Sequence, residues 1–360
     1  MKTFRVGVLG ATGTVGQQIV HRLRSHPWFR VTALAASERS RGNRYREIVS
    51  WRIAQPIPEE VGALTLQPLE ANLDCDFCFS ALDSSIAGPA ELEFAHAGYP
   101  VISNSSNHRM DADVPLLVPE VNSDHCALIA NQRKNHGYAS GFIATNPNCS
   151  ATGLVVALKP IHDFFGIEAL NVVTMQALSG AGYPGVASLD STDNVIPFIS
   201  GEEEKLESEP RKILGALQDG GITPREMRIS AQCHRVPVID GHMEAVSVKL
   251  QKKASAADVA AALREFRSEP QLLKLPSALA WPIEVREEKD RPQTRLDRDA
   301  GGGMAVSVGR IRACHVLDIR FVLLSHNLVR GAAGAAILNA ELLAEGGYII
   351  PRETSASQLK

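Results

Sequence analysis

Apolar and polar positions run along this chain in two rhythms, and the change falls near residue 149. In the first part, short apolar runs alternate with longer amphipathic ones. FRVGVLG is a run of apolar and β-branched residues closed by glycine, which predicts a buried strand. GATGTVG follows as a turn, and QQIVHRLRSHP reads as a helix stopped by Pro27. WFRVTALAAS, DCDFCFSAL and YPVISNSS repeat the strand signature, and PAELEFAHAGY lies between the last two as a helix. Strands alternating with helices predict an α/β fold: a Rossmann-like, doubly wound parallel sheet covered on both faces.

Beyond Cys149 the rhythm lengthens. SATGLVVALKPIHDFF is helical, and EALNVVTMQALSG is a strand that ends in small residues. EMRISAQCHRVPVID, MEAVSVKLQ, MAVSVGRIRA and VLDIRFVLLS alternate in character with few helices between them, which predicts an α+β domain with a mostly antiparallel sheet. NLVRGAAGAAILNAELLAEGG is helical to its glycines and is placed to return to the first domain. The expected division is a dinucleotide-binding domain over 1–148, completed by 327–360, and a catalytic domain over 149–326.

Composition narrows the class. The chain has 360 residues, room for about two domains. A formal net charge of -3 gives no basic field for nucleic acid or a membrane surface. No apolar run nears the ~20 residues of a membrane span, and MKTFRVGVLG is broken by glycine too soon for a signal peptide. Six cysteines are too few for a disulfide scaffold, so the expected setting is a reducing cytoplasm.

Gly10, Gly13 and Gly16 stand between a strand and a helix. Glycines there let the backbone turn and approach a pyrophosphate, and the helix start offers N–H groups to it. Gly10, Thr12, Gly13, Thr14, Val15 and Gly16, with Ser80 after the third strand, are the candidate cofactor residues of this loop. A plain tight turn is the bland alternative. The second strand ends in ALAASERSRG, without the usual acid for a ribose 2′-hydroxyl. Ser37, Arg39 and Ser40 suit a 2′-phosphate instead, with Glu38 dissenting, which favours NADP(H).

TNPNCSATG puts a cysteine at a helix start. A helix N-terminus favours thiolate, so Cys149 is a candidate nucleophile, and Asn148 could offer an N–H to an oxyanion. A buried structural cysteine is the competing reading. Cys75 and Cys78 form C-x-x-C inside a strand rather than at a helix start and read as core. No Cys/His spacing makes a zinc site, and no metal is expected. His242, after Asp240 and Gly241, sits at a strand-to-strand turn that can aim it into a cleft. Glu202 and Lys205 in GEEEKLESEPRK share one face of a helix, functional or merely solvated.

Taken together, GATGTVGQ, SNSSNHRMDADVPLLVPEVN, TNPNCSATG, TMQALSGAGYPGV, NVIPFISGEEEK, RVPVIDGH, DRPQTRLDRD and LSHNLVRGAAGAAILNAELL, in this order, resemble the aspartate-semialdehyde dehydrogenases, in their archaeal and fungal branch. The resemblance spans essentially the whole chain. It implies NADPH-dependent reduction of aspartyl 4-phosphate to aspartate semialdehyde with release of phosphate, an early step towards Lys, Thr, Met and Ile. It further implies Cys149 as the acyl-thioester nucleophile, His242 as acid/base and Gln176 as a substrate-orienting amide. Arg235 corresponds to the clamp on the substrate carboxylate, Glu202 to the acceptor of its amino group, and Lys205 and Arg109 to phosphate-site cations. Ser179, Gly180 and Asn327 correspond to cofactor contacts, and the catalytic domain to the interface of a homodimer or homotetramer. His234 departs from the family pattern beside Arg235 and is expected to alter the pocket's response to pH. The rival readings are a malonyl-CoA or succinyl-CoA reductase of the same architecture, N-acetylglutamyl phosphate reductase, and a catalytically silent NADP-binding regulator.

Overall fold

The structure, a computed structural model, describes residues 3–37, 41–218 and 220–352. They divide into two compact units: Met1–Pro115 with His125–Asn146 and Ala336–Lys360, and Leu116–Asp124 with Pro147–Ala335.

The first unit carries strands β1 (Phe4–Leu9), β2 (Phe29–Ala35), β3 (Phe77–Ser80), β4 (Pro100–Ser103) and β5 (Phe142–Thr145) in the order β2-β1-β3-β4-β5. All four pairings are parallel. The central strands are buried, so they read as continuous apolar runs rather than alternating ones. The order reverses between β1 and β3, which opens the crevice where doubly wound sheets take ligands, at the carboxyl ends of those strands. Helices α1 (Thr14–Arg22), α2 (Ser84–His96) and α3 (Leu128–His136) belong to this unit. Gln132 of α3 ties it to the sheet, its amide donating to the Ile143 carbonyl and accepting the Ile143 N–H. The chain re-enters the unit in the C-terminal helix Gly334–Glu345. His26 meets Glu341 at 2.7 Å, and Asn339 donates to Asn146 at 2.6 Å. The C-x-x-C sulfurs lie 3.6 Å apart in the core, as expected for packed thiols.

The second unit is built on strands β6 (Ile167–Gln176), β9 (Arg228–Arg235), β10 (His242–Leu250), β11 (Ile283–Val285), β12 (Val306–Ala313) and β13 (Ile319–Ser325), ordered β11-β12-β13-β10-β6-β9. A small hairpin, β7 (Ala216–Gln218) and β8 (Gly221–Thr223), stands apart. The three central pairings are antiparallel, and the outer ones, β11 with β12 and β6 with β9, are parallel. The mostly antiparallel expectation holds for the middle of the sheet, and the edges make it mixed. One face packs against helix α4 (Cys149–Phe165), with Leu154, Val155 and Leu158 meeting Val246, Val248 and Leu323 in one core. The other face stays half-exposed and apolar at Val173, Met175, Met243, Ala245 and Val322. The excursion Leu116–Asp124 is held in this unit by a buried bidentate pair, Arg330 on Glu120 at 2.7 and 2.7 Å. Helix periodicity gives no sign of it.

Candidate active site

Strand register assembles the chemistry. Gln176 of β6 pairs with Arg235 of β9, and His242 of β10 pairs with Ser325 of β13. Met243 pairs with Met175, so the same register one step on sets His242 opposite Gln176. Directly paired residues point to one face of a sheet. Arg235, Gln176, His242 and Ser325 therefore form a single cross-strand row, and all four are buried. That face meets the start of α4, where Cys149 is the first helical residue.

Cys149 Sγ lies 3.2 Å from His242 Nε2. The other ring nitrogen is committed: Nδ1 accepts the Ala177 backbone N–H at 3.1 Å. A nitrogen that accepts carries no proton, so the neutral ring holds its hydrogen on Nε2, facing the sulfur. Burial, with the Arg235 charge behind it, draws the imidazole down to about 3. His242 is thus a neutral donor to sulfur in the resting site. The first turn of a 17-residue helix adds the positive end of its dipole beside Sγ.

Asn148 is the helix N-cap. Its Oδ1 accepts from Ser150 and Ala151 N–H at 3.0 and 3.3 Å. Its Nδ2 donates to both oxygens of Glu202 at 2.9 Å, and its backbone N–H donates to Glu209 at 2.6 Å. This corrects the expectation of an oxyanion donor: every N–H of Asn148 is held by a carboxylate, and the residue acts by positioning.

Glu202 opens helix α5 (Glu202–Ile213), whose start faces inward rather than to solvent. It also accepts from Gln176 Nε2 at 3.1 Å and from Lys205 Nζ at 2.9 Å. Burial pushes its carboxyl up, but the Lys205 charge and these hydrogen bonds outweigh burial and hold it below its ordinary value. The site therefore keeps a fixed anion beside a half-exposed ammonium. Arg235 donates to the Ala177 carbonyl at 2.6 Å, which aims the guanidinium along the same row. His234, by strand alternation, points to the opposite face. The expectation that it tunes the pocket is corrected for that reason.

Ser179, Gly180 and Asn327 gather on the same side of this unit. Asn327 donates to Ser179 Oγ at 2.8 Å and accepts from the Gly241 N–H at 2.8 Å. A Cβ on Gly180 would stand 2.8 Å from an Arg235 nitrogen and 3.0 Å from the His242 ring. Residue types could not reveal two further contributors. Ala177 holds both His242 and Arg235 through its backbone alone. Gly331 is invisible as well until the fold closes, when a Cβ there would meet Cys149 Cβ at 2.6 Å.

In the first unit, the glycine loop follows β1 and runs into α1. Gly10 has φ of 76°, and a Cβ there would lie 2.6 Å from the Ala81 carbonyl oxygen. A Cβ on Gly16 would lie 2.4 Å from Gly10 O, so the loop needs glycine at both places. Gly13 is the N-cap and offers no side-chain acceptor to the first N–H groups of the helix, Thr14, Val15 and Gly16. Those donors, with Thr12 beside them, suit an anionic pyrophosphate. Ser80 ends β3 opposite Leu9, across the switch point, with its side chain buried. Ser37 is exposed after β2, while Arg39 and Ser40 lie outside the described residues. Arg109 is buried in this unit and donates to the Asn104 carbonyl at 2.9 Å.

A doubly wound dinucleotide-type unit in one part of the chain, and in the other a cysteine–histidine pair set in a row of buried polar groups, is the design of a semialdehyde dehydrogenase. The family models agree: "Semialdehyde dehydrogenase, NAD binding domain" matches residues 5–129 and "Semialdehyde dehydrogenase, dimerisation domain" matches residues 158–330. Among curated proteins, the chain is 51% identical to the aspartate-semialdehyde dehydrogenase of Archaeoglobus fulgidus over 94% of its own length and 98% of that protein's. It is 47% identical to that of Schizosaccharomyces pombe over 96% and 99%. Among solved structures it matches the Candida albicans enzyme with NADP at a TM-score of 0.89 and 44% identity, covering 97% of this chain and 100% of that one. The Vibrio cholerae enzyme II complexed with ASA matches at 0.76 and 30%, covering 96% and 99%. The chain belongs to the aspartate-semialdehyde dehydrogenase family, and the resemblance to its archaeal and fungal members is borne out.

Proposed function

We propose that this protein carries out the NADPH-dependent reductive dephosphorylation of L-aspartyl 4-phosphate to L-aspartate 4-semialdehyde, in the biosynthesis of lysine, threonine, methionine and isoleucine. The observation that carries the reading is the 3.2 Å contact between Cys149 Sγ and a neutral His242 Nε2, at a helix start flanked by Arg235 and Glu202. The Cys149 thiolate, supported by the His242 Nε2–H and the helix dipole, attacks the acyl carbonyl. The carbon–oxygen bond to phosphate breaks, phosphate leaves with the electron pair, and a thioester remains on Sγ. Lys205 receives the departing anion, and Arg109 keeps a part as second phosphate cation on the resemblance alone. Arg235 takes the substrate α-carboxylate through its planar fork, and the Glu202 anion takes the α-ammonium, so the amino acid is gripped at both ends of its charge. Gln176, anchored on Glu202, orients the acyl group. His242 donates a hydrogen bond from Nε2 to the thiohemiacetal oxygen and steadies its charge until the carbon–sulfur bond breaks, Cys149 leaving as thiolate and the aldehyde forming. NADPH supplies the hydride when bound; Gly10, Thr12, Gly13, Thr14, Val15, Gly16, Ser37 and Ser80 would hold it, and Ser179, Gly180 and Asn327 keep a part as cofactor contacts on the resemblance alone.

The half-exposed apolar face of the six-stranded sheet supports a homodimer through the second unit. Among the described residues no helix is long and apolar enough to cross a membrane, and a cytoplasmic setting is the proposed one. The test is the reverse reaction: aspartate semialdehyde, phosphate and NADP are supplied and NADPH formation is followed. Absence of product there, with turnover of malonyl-CoA and NADPH instead, overturns the substrate. Equal efficiency with NAD overturns the cofactor preference.

A further inference from the structure

One step below the active-site row, the same register sets Cys233, Thr174, Glu244 and Leu323 side by side on β9, β6, β10 and β13. Glu244 is two residues from His242 on the same face, the face that packs against α4. It is fully buried, and among the described residues neither of its carboxyl oxygens has a hydrogen-bond partner. Two hydroxyls nearby share that condition. Ser325 Oγ stands in the row above, opposite His242, and Ser150 Oγ lies on the first turn of α4. A Cβ on Gly153 would lie 2.4 Å from Ser325 Oγ, so this strand and this face of the helix touch. Ser150, three residues before Gly153, is on that same helical face. Four orphaned oxygens thus gather behind the Cys149–His242 pair, where an unsatisfied polar atom is strongly disfavoured. A polar gap with that many partners is where proteins hold internal water.

We propose that Glu244 is a positioning residue: a carboxylic acid kept neutral beneath His242 that, with Ser150 and Ser325, encloses internal water and fixes the start of the Cys149 helix against β10. The neutral form follows from the surroundings. Among the described residues the charged and titratable groups that face Glu244 are Cys233 in its own row, His242 in the row above, the Arg235 cation in that upper row two strands away on β9, and Cys149 on α4, while β6 and β13 bring Thr174 and Ser325. Burial alone pushes the Glu244 carboxyl well above its ordinary value. Neutrality matters for the chemistry, because a second anion one strand step from His242 would oppose the thiolate that Cys149 must form. As an acid, Glu244 can both donate to water and accept from it, and its proton stays out of the reaction.

The proposal rests on Cys149 and His242 as the reacting pair, and its first readout needs no turnover. Infrared difference spectra between the wild-type protein and Glu244→Gln should contain a protonated carboxyl band that persists from pH 5 to pH 8. A carboxylate band in its place overturns the neutral acid. Glu244→Gln keeps a donor and an acceptor without charge. It should leave kcat within about threefold and the pH dependence of Cys149 alkylation unchanged, whereas the apolar Glu244→Met should lower kcat by about tenfold with little change in KM. A shifted alkylation profile in Glu244→Gln, or wild-type kcat in a folded Glu244→Met, overturns the positioning role. A high-resolution crystal structure should place a water within hydrogen-bond distance of Glu244 and of Ser325; a dry contact there removes the water.

Discussion

His242 makes a quantitative prediction through its proton. The folded ring is drawn from 6.5 down to about 3 by burial and by Arg235. Between those values the unfolded chain binds a proton that the folded protein refuses. Stability contributed by neutral His242 is therefore complete above pH 6.5 and falls as the pH drops, by about 1.4 kcal/mol per unit. From pH 8 to pH 5 the loss amounts to about 2 kcal/mol. His242→Gln isolates this effect. The glutamine oxygen can accept from the Ala177 N–H, its amide can face Cys149, and it does not titrate. Urea unfolding of both proteins at pH 8, 7, 6 and 5, analysed with a common slope, should give a wild-type stability that falls towards the variant's by about 2 kcal/mol on acidification. All other titrating groups are shared and cancel in the difference. Parallel stability profiles would refute the reasoning, because His242 would then titrate alike in folded and unfolded chains. The folded ring would then take up its proton over the same range as the free imidazole, and burial beside Arg235 would not be holding it neutral.

Three further substitutions probe separate contacts. Cys149→Ser should reduce turnover by roughly 10³-fold or more while cofactor binding, followed by NADPH fluorescence, is unchanged; retained turnover removes the nucleophile. Asn148→Ala deletes the α4 cap, a loss of about 1 kcal/mol in stability, and unclamps Glu202, so the KM for aspartate semialdehyde should rise as well; an unchanged KM would separate the cap from substrate binding. His234→Gln should leave the pH–rate profile unaltered, because the side chain leaves the sheet on the far face; a shifted limb would return it to the pocket.

Periodicity exposes the parallel unit because buried parallel strands are continuous apolar runs, and FRVGVLG and WFRVTALAAS leave little choice. The long strands of the second unit were legible for the complementary reason, their alternation. Their parallel edges were not: β9 pairs with β6, a strand distant in sequence, and β11, with 3 residues, is too short to carry a periodicity of its own. The chemistry-bearing side chains stand out by type: Cys149, His242, Arg235, Glu202 and Gln176 meet in one site. Groups that act through the backbone do not stand out. Ala177 and Gly331 contribute a peptide group and a missing Cβ, and neither is distinguishable from any other alanine or glycine. Asn148 is ambiguous in sequence because its type suits an oxyanion donor and an N-cap alike, and only the positions of Glu202 and Glu209 decide between them.

The single row explains why a sheet suits this reaction. In the proposed roles, substrate clamp (Arg235), orienting amide (Gln176) and hydrogen-bond donor (His242) come from three adjacent strands, spaced by the ~4.8 Å of strand pairing. A substrate with a carboxylate, an ammonium and an acyl carbon spread over a few bonds can span that spacing without any loop being ordered around it. Cys149, the proposed nucleophile, comes from a helix packed across the row, so its approach is set by core packing of Leu154, Val155 and Leu158 rather than by a flexible segment. Such a site is stiff, and a slip of one residue in β10 would turn His242 to the opposite face. The register is accordingly fixed from both sides. Gly241 hydrogen-bonds to Asn327 at the start of β10, and the Leu250 N–H is bound by Asp318 at its end. Asn327 therefore serves the catalytic row by pinning the strand that carries His242, whatever it contributes to a cofactor.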